Sequence, residues 1–208
     1  MIPRLCFMSD GPRSTGGRPL LDVIEALARG GVELVVLRER EWTGAEWTEA
    51  VRRLEPIRAR GLRVVASRRL DVARALGLDG VQLGREAVSV SEAREFLGRD
   101  ALVGYSAHDG DEARRAAAEG ASYVMLSPIY ATDSKPLAPA LGCDWLRQAS
   151  ADLPVPALAL GGLTVARVAE ILAAGAFGVA AVAALGAATD PEAAAREFRR
   201  ALADEARR

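Results

Sequence analysis

The residues best suited to chemistry lie in one short polar stretch near the middle of the chain. It contains Thr132, Ser134 and Lys135, and Lys135 is the only lysine in a chain with 26 arginines. The stretch follows residues 123–126, an apolar run typical of a buried strand. In parallel α/β proteins, hydroxyl and ammonium groups on loops beyond strand ends bind phosphate. We therefore predict phosphate contacts for Thr132, Ser134 and Lys135; the alternative is a polar surface loop.

Two further patterns also suit an anion. Gly161 and Gly162 follow an apolar run and precede a helical segment, where backbone amides can approach a phosphate group; the alternative is a tight turn. Arg38 and Arg40 flank Glu39 at the end of residues 32–37, and alternation along an extended chain directs both arginines to the same side. Two guanidinium groups there would clamp an anion, unless they only form surface ion pairs.

His108 is the only histidine, and it follows the apolar run 102–105. Imidazole titrates near neutral pH, so His108 could act as a general acid or base. The alternative is a structural hydrogen-bonding role, such as capping the next helix. No carboxylate pair follows the third or fourth predicted strand, so we predict no metal site.

Apolar strands and amphipathic helices alternate along the whole chain. The predicted strands are 4–8, 32–37, 62–66, 80–83, 102–105, 122–126, 155–160 and 177–182, and the predicted helices are 19–29, 43–59, 70–76, 89–97, 109–119, 143–150, 164–174 and 191–203. Eight such pairs predict one α/β domain over residues 1–208, a (β/α)8 TIM barrel, with a doubly wound open sheet as the main alternative. The active site of such a barrel lies at the carboxyl ends of its strands.

Composition narrows the classes of partner. The 208 residues are 50% hydrophobic and carry a formal net charge of −1, which argues against disorder and against general attraction to nucleic acid or anionic membranes. Residues 171–188 carry no charge, but glycines divide them into a helix end and a buried strand. Two cysteines and no targeting segment favour a cytoplasmic protein. We also expect that the barrel can pair as a homodimer.

Four motifs together resemble the superfamily of thiamine phosphate synthase and the TenI-like thiazole tautomerases. Residues 127–135 (SPIYATDSK) resemble Gly-Pro-Ile-Phe/Tyr-Pro-Thr-x-Thr-Lys, residues 104–108 (GYSAH) resemble Gly-Val-Ser-Ala/Thr-His, residues 160–164 (LGGLT) resemble Ile-Gly-Gly-Ile-Thr, and residues 80–84 (GVQLG) resemble Gly-Val-His-Leu-Gly. The resemblance covers nearly the whole chain and implies a phosphorylated small-molecule ligand. It implies phosphate or substrate contacts for Arg38, Arg40, Ser106, Thr132, Ser134, Lys135, Gly161, Gly162 and Ala183.

The chain departs from the synthase pattern at several positions. Val36 stands where the synthase has a pyrimidine-binding glutamine, Ser67-Arg68 replaces an Asn-Asp pair, and Arg85-Glu86-Ala87 replaces Gln-Glu-Asp. Both magnesium-binding aspartates of the synthase are therefore missing, although Arg68 and Arg85 could act as fixed cations in their place. The tautomerases also lack the metal site, but their catalytic histidine falls at Pro128 here.

These features lead to one first expectation and two alternatives. We first expect an isomerase, a metal-independent thiazole tautomerase in which His108 or Glu39 transfers the proton and Lys135 belongs to the catalytic set. The first alternative is a transferase, a thiamine phosphate synthase that joins a thiazole phosphate to a pyrimidine diphosphate and releases pyrophosphate. The second is a non-catalytic thiazole phosphate-binding or regulatory protein. Magnesium is expected as a cofactor only for the synthase.

Overall fold

The computed structural model describes residues 2–134 and 136–205, and Lys135 lies outside them. Eight parallel strands pair in chain order and close into a barrel, which confirms the predicted (β/α)8 TIM barrel. The strands are β1 Leu5–Met8, β2 Leu34–Leu37, β3 Arg63–Ser67, β4 Gly80–Leu83, β5 Leu102–Ala107, β6 Tyr123–Leu126, β7 Ala157–Leu160 and β8 Gly178–Ala181. The helices are α1 Leu20–Gly30, α2 Gly44–Arg58, α3 Leu70–Ala75, α4 Val90–Leu97, α5 Gly110–Ala118, α6 Gly142–Ser150, α7 Val168–Ala173, α8 Ala183–Gly186 and α9 Pro191–Glu205.

The alternation of side chains along each strand separates two apolar cores. In β1, Cys6 and Met8 belong to the cluster inside the barrel, whereas Leu5 and Phe7 pack in the outer layer beneath the helices. The strands are buried on both faces, which explains their nearly continuous apolar sequences. Burial also raises the pKa of the Cys6 thiol, so this cysteine is a packing residue.

The barrel closes by pairing of β1 with β8, in the register Leu5 with Val179. At the N-terminal end of the barrel, the Arg4 side chain donates hydrogen bonds to the carbonyls of Phe177 and Leu202, at 2.8 and 3.2 Å. Each bond joins parts of the chain that are far apart in sequence. The first strand, the last strand and the closing helix are therefore tied together.

Several local differences separate the prediction from the structure; strands β2 and β7, for example, each begin two residues later than predicted. Strand β5 extends to Ala107, two residues beyond the predicted end, and so includes Ser106. The predicted helix 164–174 is a 3-10 turn at Val165–Arg167 followed by α7. The short helix α8 was not predicted, since it lies in an uncharged run without a side-chain cap. At the start of α2, Thr43 and Glu46 form a capping box.

The uncharged run 171–188 is divided into a helix end and a buried strand, as predicted, and it also includes the unpredicted α8. It contains the end of α7, then β8, then α8. Within the described part of the chain, no helix is both long and apolar enough to span a membrane.

Candidate active site

A cavity of about 430 Å³ opens at the carboxyl ends of the strands. Its volume lies in the range of small-molecule sites, and its position is that of the active site in barrels of this type. All eight strands, or the loops that follow them, contribute to its lining: Met8, Asp10, Arg38, Arg40, Ser67, Arg68, Gln82, Leu83, Gly84, Arg85, Glu86, Ser106, His108, Ser127, Pro128, Thr132, Ser134, Leu160, Gly161 and Val182. A larger groove of about 670 Å³ lies at the opposite end of the barrel, beside the start of β2 and β3.

One side of the cavity is cationic because arginines follow three consecutive strands. Arg38 and Arg40 follow β2, and both line the cavity, as alternation along the chain predicted. The backbone amide of Arg38 donates to Oγ of the buried Ser9 at 2.9 Å, and its guanidinium pairs with Asp10. Burial lowers the pKa of Arg38; Asp10 opposes this shift, and the nearby charges of Arg40 and Arg68 add to it.

Arg68 and Arg85 complete the cationic side. Arg68 has a φ of +61°, the only positive φ at a described non-glycine residue, and its guanidinium donates to Glu86 at 2.7 Å. This bond lowers the pKa of Glu86. Arg85 pairs with the buried Glu112 of α5 and, at 3.1 Å, with Asp109. Burial opposes ionisation of Glu112, but bonds from Arg85 and from the backbone of His108 hold its pKa below the usual value.

The opposite side of the cavity carries hydroxyls and a glycine turn. Thr132 and Ser134 both line it, and they lie in a loop whose ends are closed by hydrogen bonds from Leu141 and Gly142 to the carbonyls of Pro128 and Ile129, each 2.9 Å long. Because the strands are arranged in chain order, this loop after β6 faces the arginines across the barrel mouth. Both residues therefore occupy a position from which they can contact the phosphate group of a ligand.

The turn after β7 packs against the same loop. Gly161 lines the cavity with a φ of +101°, and a Cβ atom there would lie 2.8 Å from Cβ of Pro128. Only glycine fits without strain. Gly162 and Ala183 do not line the cavity: Gly162 packs on Tyr130, and Ala183 begins the exposed start of α8. The adjoining residues Gly161 and Val182 reach the cavity instead.

A chain of hydrogen bonds runs from inside the barrel to the cavity floor. The buried Tyr123 hydroxyl donates to Oε1 of Gln82 at 2.7 Å, and Nε2 of Gln82 donates to Oγ of Ser106 at 3.0 Å. Burial raises the pKa of Tyr123 well above its ordinary value, so this hydroxyl stays protonated. The orientation of Ser106 at the floor is thus set from within the barrel.

The three residues predicted to be catalytic are not brought together. His108 lines the cavity, with Nδ1 3.6 Å from Oε2 of Glu112. Glu39 does not line the cavity with Arg38 and Arg40; it lines a separate pocket of about 200 Å³ with Trp42. Lys135 is outside the described residues. The structure therefore provides no shared position for His108 and Glu39 on one ligand.

Comparison with known proteins identifies the family. The sequence profile described as thiamine monophosphate synthase matches residues 5–185. The chain belongs to this family. A thiamine-phosphate synthase of Natronomonas pharaonis is 39% identical over 196 residues, which cover 92% of each chain. A thiamine-phosphate synthase of Thermosynechococcus vestitus is 40% identical over 184 residues, but the match spans 88% of this chain and only 52% of that relative.

A solved structure of the same family has the same fold. The thiamine phosphate pyrophosphorylase from Pyrococcus furiosus superposes with a TM-score of 0.87 at 26% identity, covering 97% of this chain and 96% of that one. These relatives favour the synthase, which the sequence analysis ranked second. The tautomerase, which it ranked first, is not supported by them.

The cavity of this thiamine monophosphate synthase family member does not fit a magnesium ion. Its two carboxylates, Asp10 and Glu86, are paired with Arg38 and Arg68. Residues 2–134 and 136–205 contain no group of three or more His, Cys, Asp or Glu side chains that could hold a metal. Guanidinium groups occupy the rim after β3 and β4, where the synthase pattern has aspartates. Arginine repels rather than coordinates a divalent cation, so these residues would not hold magnesium.

Sequence reasoning missed the roles of three residues that organise this site. Gln82 was noted only as part of a motif, although a polar residue between Val81 and Leu83 in an apolar strand is itself a signal. Glu112 is 5% exposed and anchors Arg85 from α5, and Asp10 pairs with Arg38 from the loop after β1. Neither pairing is visible in the sequence, because the partners are 27 and 28 positions apart.

Proposed function

We propose that this protein is a thiamine-phosphate synthase, a transferase that joins a thiazole phosphate to a pyrimidine diphosphate. The observation that carries the proposal is the two-sided cavity. Arginines after β2, β3 and β4 face the hydroxyls and glycine turn after β6 and β7, so the cavity offers separate anion-binding sides for two phosphorylated substrates. The names of the relatives agree with this chemistry.

In the proposed reaction, the thiazole ring nitrogen attacks the methylene carbon of the pyrimidine diphosphate. The carbon–nitrogen bond forms, the carbon–oxygen bond breaks, and its electron pair leaves with the diphosphate oxygen. The ring nitrogen becomes quaternary, so no proton has to be moved. The residues' task is to hold two anions with the reacting atoms in line and to stabilise the charge that develops on the leaving diphosphate.

On this proposal, Thr132, Ser134 and the backbone at Gly161 bind the thiazole phosphate. Arg38, Arg40 and Arg68 bind the diphosphate from the opposite side. Lys135, adjacent to Ser134 in sequence, is assigned to phosphate as the family motif implies. His108 and Glu39 then have no proton to transfer.

The test is formation of thiamine phosphate from thiazole phosphate and pyrimidine diphosphate by the purified protein, in magnesium and in chelator. We expect product, and we expect Thr132→Ala to lower kcat/KM about 10- to 100-fold, since it removes a hydrogen bond to a charged group. The matched control is Thr48→Ala, an exposed threonine of α2 outside the cavity. It should change kcat/KM by less than about twofold. Absence of product in both conditions would refute the synthase.

A further inference from the structure

We infer that Arg40 and Arg68 hold the diphosphate group without a divalent cation. This inference rests on the proposed function, since it concerns the diphosphate side of the same cavity. The charges of the residues that line the cavity support this inference. Among the described lining residues, four arginines face only two carboxylates, and both carboxylates already pair with arginines.

The four arginines differ in how firmly they are held. Arg85 is fixed by Glu112, whose side chain is only 6% exposed, so its charge is largely balanced within the protein. Arg38 is half-buried and pairs with Asp10. Carboxylates of the protein therefore hold these two guanidinium groups in place, and both contribute fixed positive charge to the cavity.

Arg40 and Arg68 are available to a ligand. Arg40 is exposed and forms no side-chain ion pair within the described ranges, although its charge helps to lower the pKa values of Glu86 and Arg38. Arg68 pairs with Glu86, but the two side chains are 43% and 80% exposed, and exposed pairs of this kind contribute little. An incoming anion can therefore replace Glu86 at low cost.

The backbone supports the same assignment. The left-handed conformation of Arg68 is unfavourable for a residue with a side chain, and such conformations cluster at ligand-binding positions. Its backbone amide is held by a 3.0 Å hydrogen bond to the carbonyl of Gln82, so the conformation is fixed by strand β4. Arg68 is thus presented at the rim at the position where the synthase pattern has an aspartate.

Electrostatics explains why a metal is unnecessary. Burial is the main cause that lowers the pKa of Arg38, and Arg40 and Arg68 lie close enough to lower it further, while Asp10 and Glu39 oppose the shift. A diphosphate carries several negative charges and accepts paired hydrogen bonds from planar guanidinium groups. Magnesium would perform the same neutralisation in a site with carboxylate ligands. Here the protein's own cations perform it.

Inorganic pyrophosphate is the probe, measured by isothermal titration calorimetry with the intact chain. We expect binding in EDTA, with a Kd that changes less than about threefold when magnesium replaces EDTA, since the affinity comes from guanidinium groups. Pyrophosphate that binds only with magnesium would overturn the inference. This measurement needs no variant, so it does not depend on any substitution folding correctly.

Arg68→Gln and its sequence neighbour Arg69→Gln form the matched pair. Arg69 is exposed, pairs with Asp71 and does not line the cavity. We expect Arg68→Gln and Arg40→Gln each to raise the Kd for pyrophosphate at least about tenfold in EDTA, and Arg69→Gln to leave it within about twofold. Equal affinities for the Arg68→Gln and Arg69→Gln variants would contradict the inference. Pyrophosphate binding in EDTA without formation of thiamine phosphate would instead refute only the proposed function.

Discussion

At the scale of single residues, one buried amide connects the barrel core to the cavity. Gln82 is 2% exposed, and it accepts from Tyr123 while it donates to Ser106. Gly104 leaves room for this arrangement, because a Cβ atom there would collide with the Gln82 amide and the Tyr123 ring. Removing only the acceptor of a buried hydroxyl destabilises a protein more than removing the hydroxyl and its acceptor together.

This asymmetry gives a prediction for Gln82. We expect Gln82→Leu to lower the free energy of unfolding by about 1–3 kcal/mol, because Tyr123 keeps a buried hydroxyl without an acceptor. Adding Tyr123→Phe should recover about 1 kcal/mol. Urea denaturation measures both effects, and the exposed Gln148→Leu serves as control. A double variant no more stable than Gln82→Leu would argue against the hydroxyl–amide bond as the cause.

At the scale of elements, the turn after β7 is built from glycine for two separable reasons. Gly161 has a positive φ and also lies against Pro128. Gly61, before β3, has a nearly equal φ of +107° against the +101° of Gly161, but it has no atom near its Cβ position. Alanine substitutions at Gly61 and Gly161 therefore distinguish the effect of backbone strain from the effect of steric crowding.

We expect Gly61→Ala to cost about 1–2 kcal/mol of unfolding free energy through backbone strain alone. Gly161→Ala should cost about 1–3 kcal/mol more, because the added methyl group displaces the loop after β6. It should also weaken binding of inorganic phosphate, whereas Gly61→Ala should not. Denaturant unfolding and phosphate titration test this. Equal losses of unfolding free energy in the two variants would show that the turn after β7 and the loop after β6 shift to make room for the methyl group.

At the scale of the whole molecule, side-chain hydrogen bonds reinforce the pairing of β1 with β8 that closes the barrel. At the cavity end, Arg18 donates to the carbonyls of Gly186, Ala188 and Thr189 and so joins the loop after β1 to the segment after β8. Arg29, by contrast, forms an ion pair with Glu192 while its side chain is 60% exposed.

We expect Arg18→Ala to lower the free energy of unfolding by about 2 kcal/mol, since the partly buried bonds to the carbonyls of Gly186 and Ala188 lose a charged donor. Arg29→Ala should lower the free energy of unfolding by less than about 1 kcal/mol, because exposed ion pairs contribute little to stability. Hydrogen exchange should quicken at residues 183–190 in the Arg18 variant and not in the Arg29 variant. Unchanged exchange in that segment would mean that the barrel closes without Arg18.

The sequence by itself determined the barrel, because each strand and helix leaves a local signal. Apolar runs, capping residues such as Thr43 and glycines at helix ends mark eight βα units, and neighbouring strands then pair in chain order. Active sites of such barrels lie at the carboxyl ends of the strands, and this rule correctly placed five residues at the cavity: Arg38, Arg40, His108, Thr132 and Ser134. Their placement could be predicted because each of them lies in a segment that follows a predicted strand.

Only the tertiary structure decided which charges are available for binding. Side-chain direction past the last strand residue sends Glu39 into a different pocket from its neighbours. Arg85 is held firmly because its partner Glu112 is buried, whereas the partner of Arg68, Glu86, is exposed. Such pairs join residues 18 to 28 positions apart, and their strength depends on exposure to water. Neither distance nor exposure is encoded in any local pattern, so they emerge only when the barrel closes.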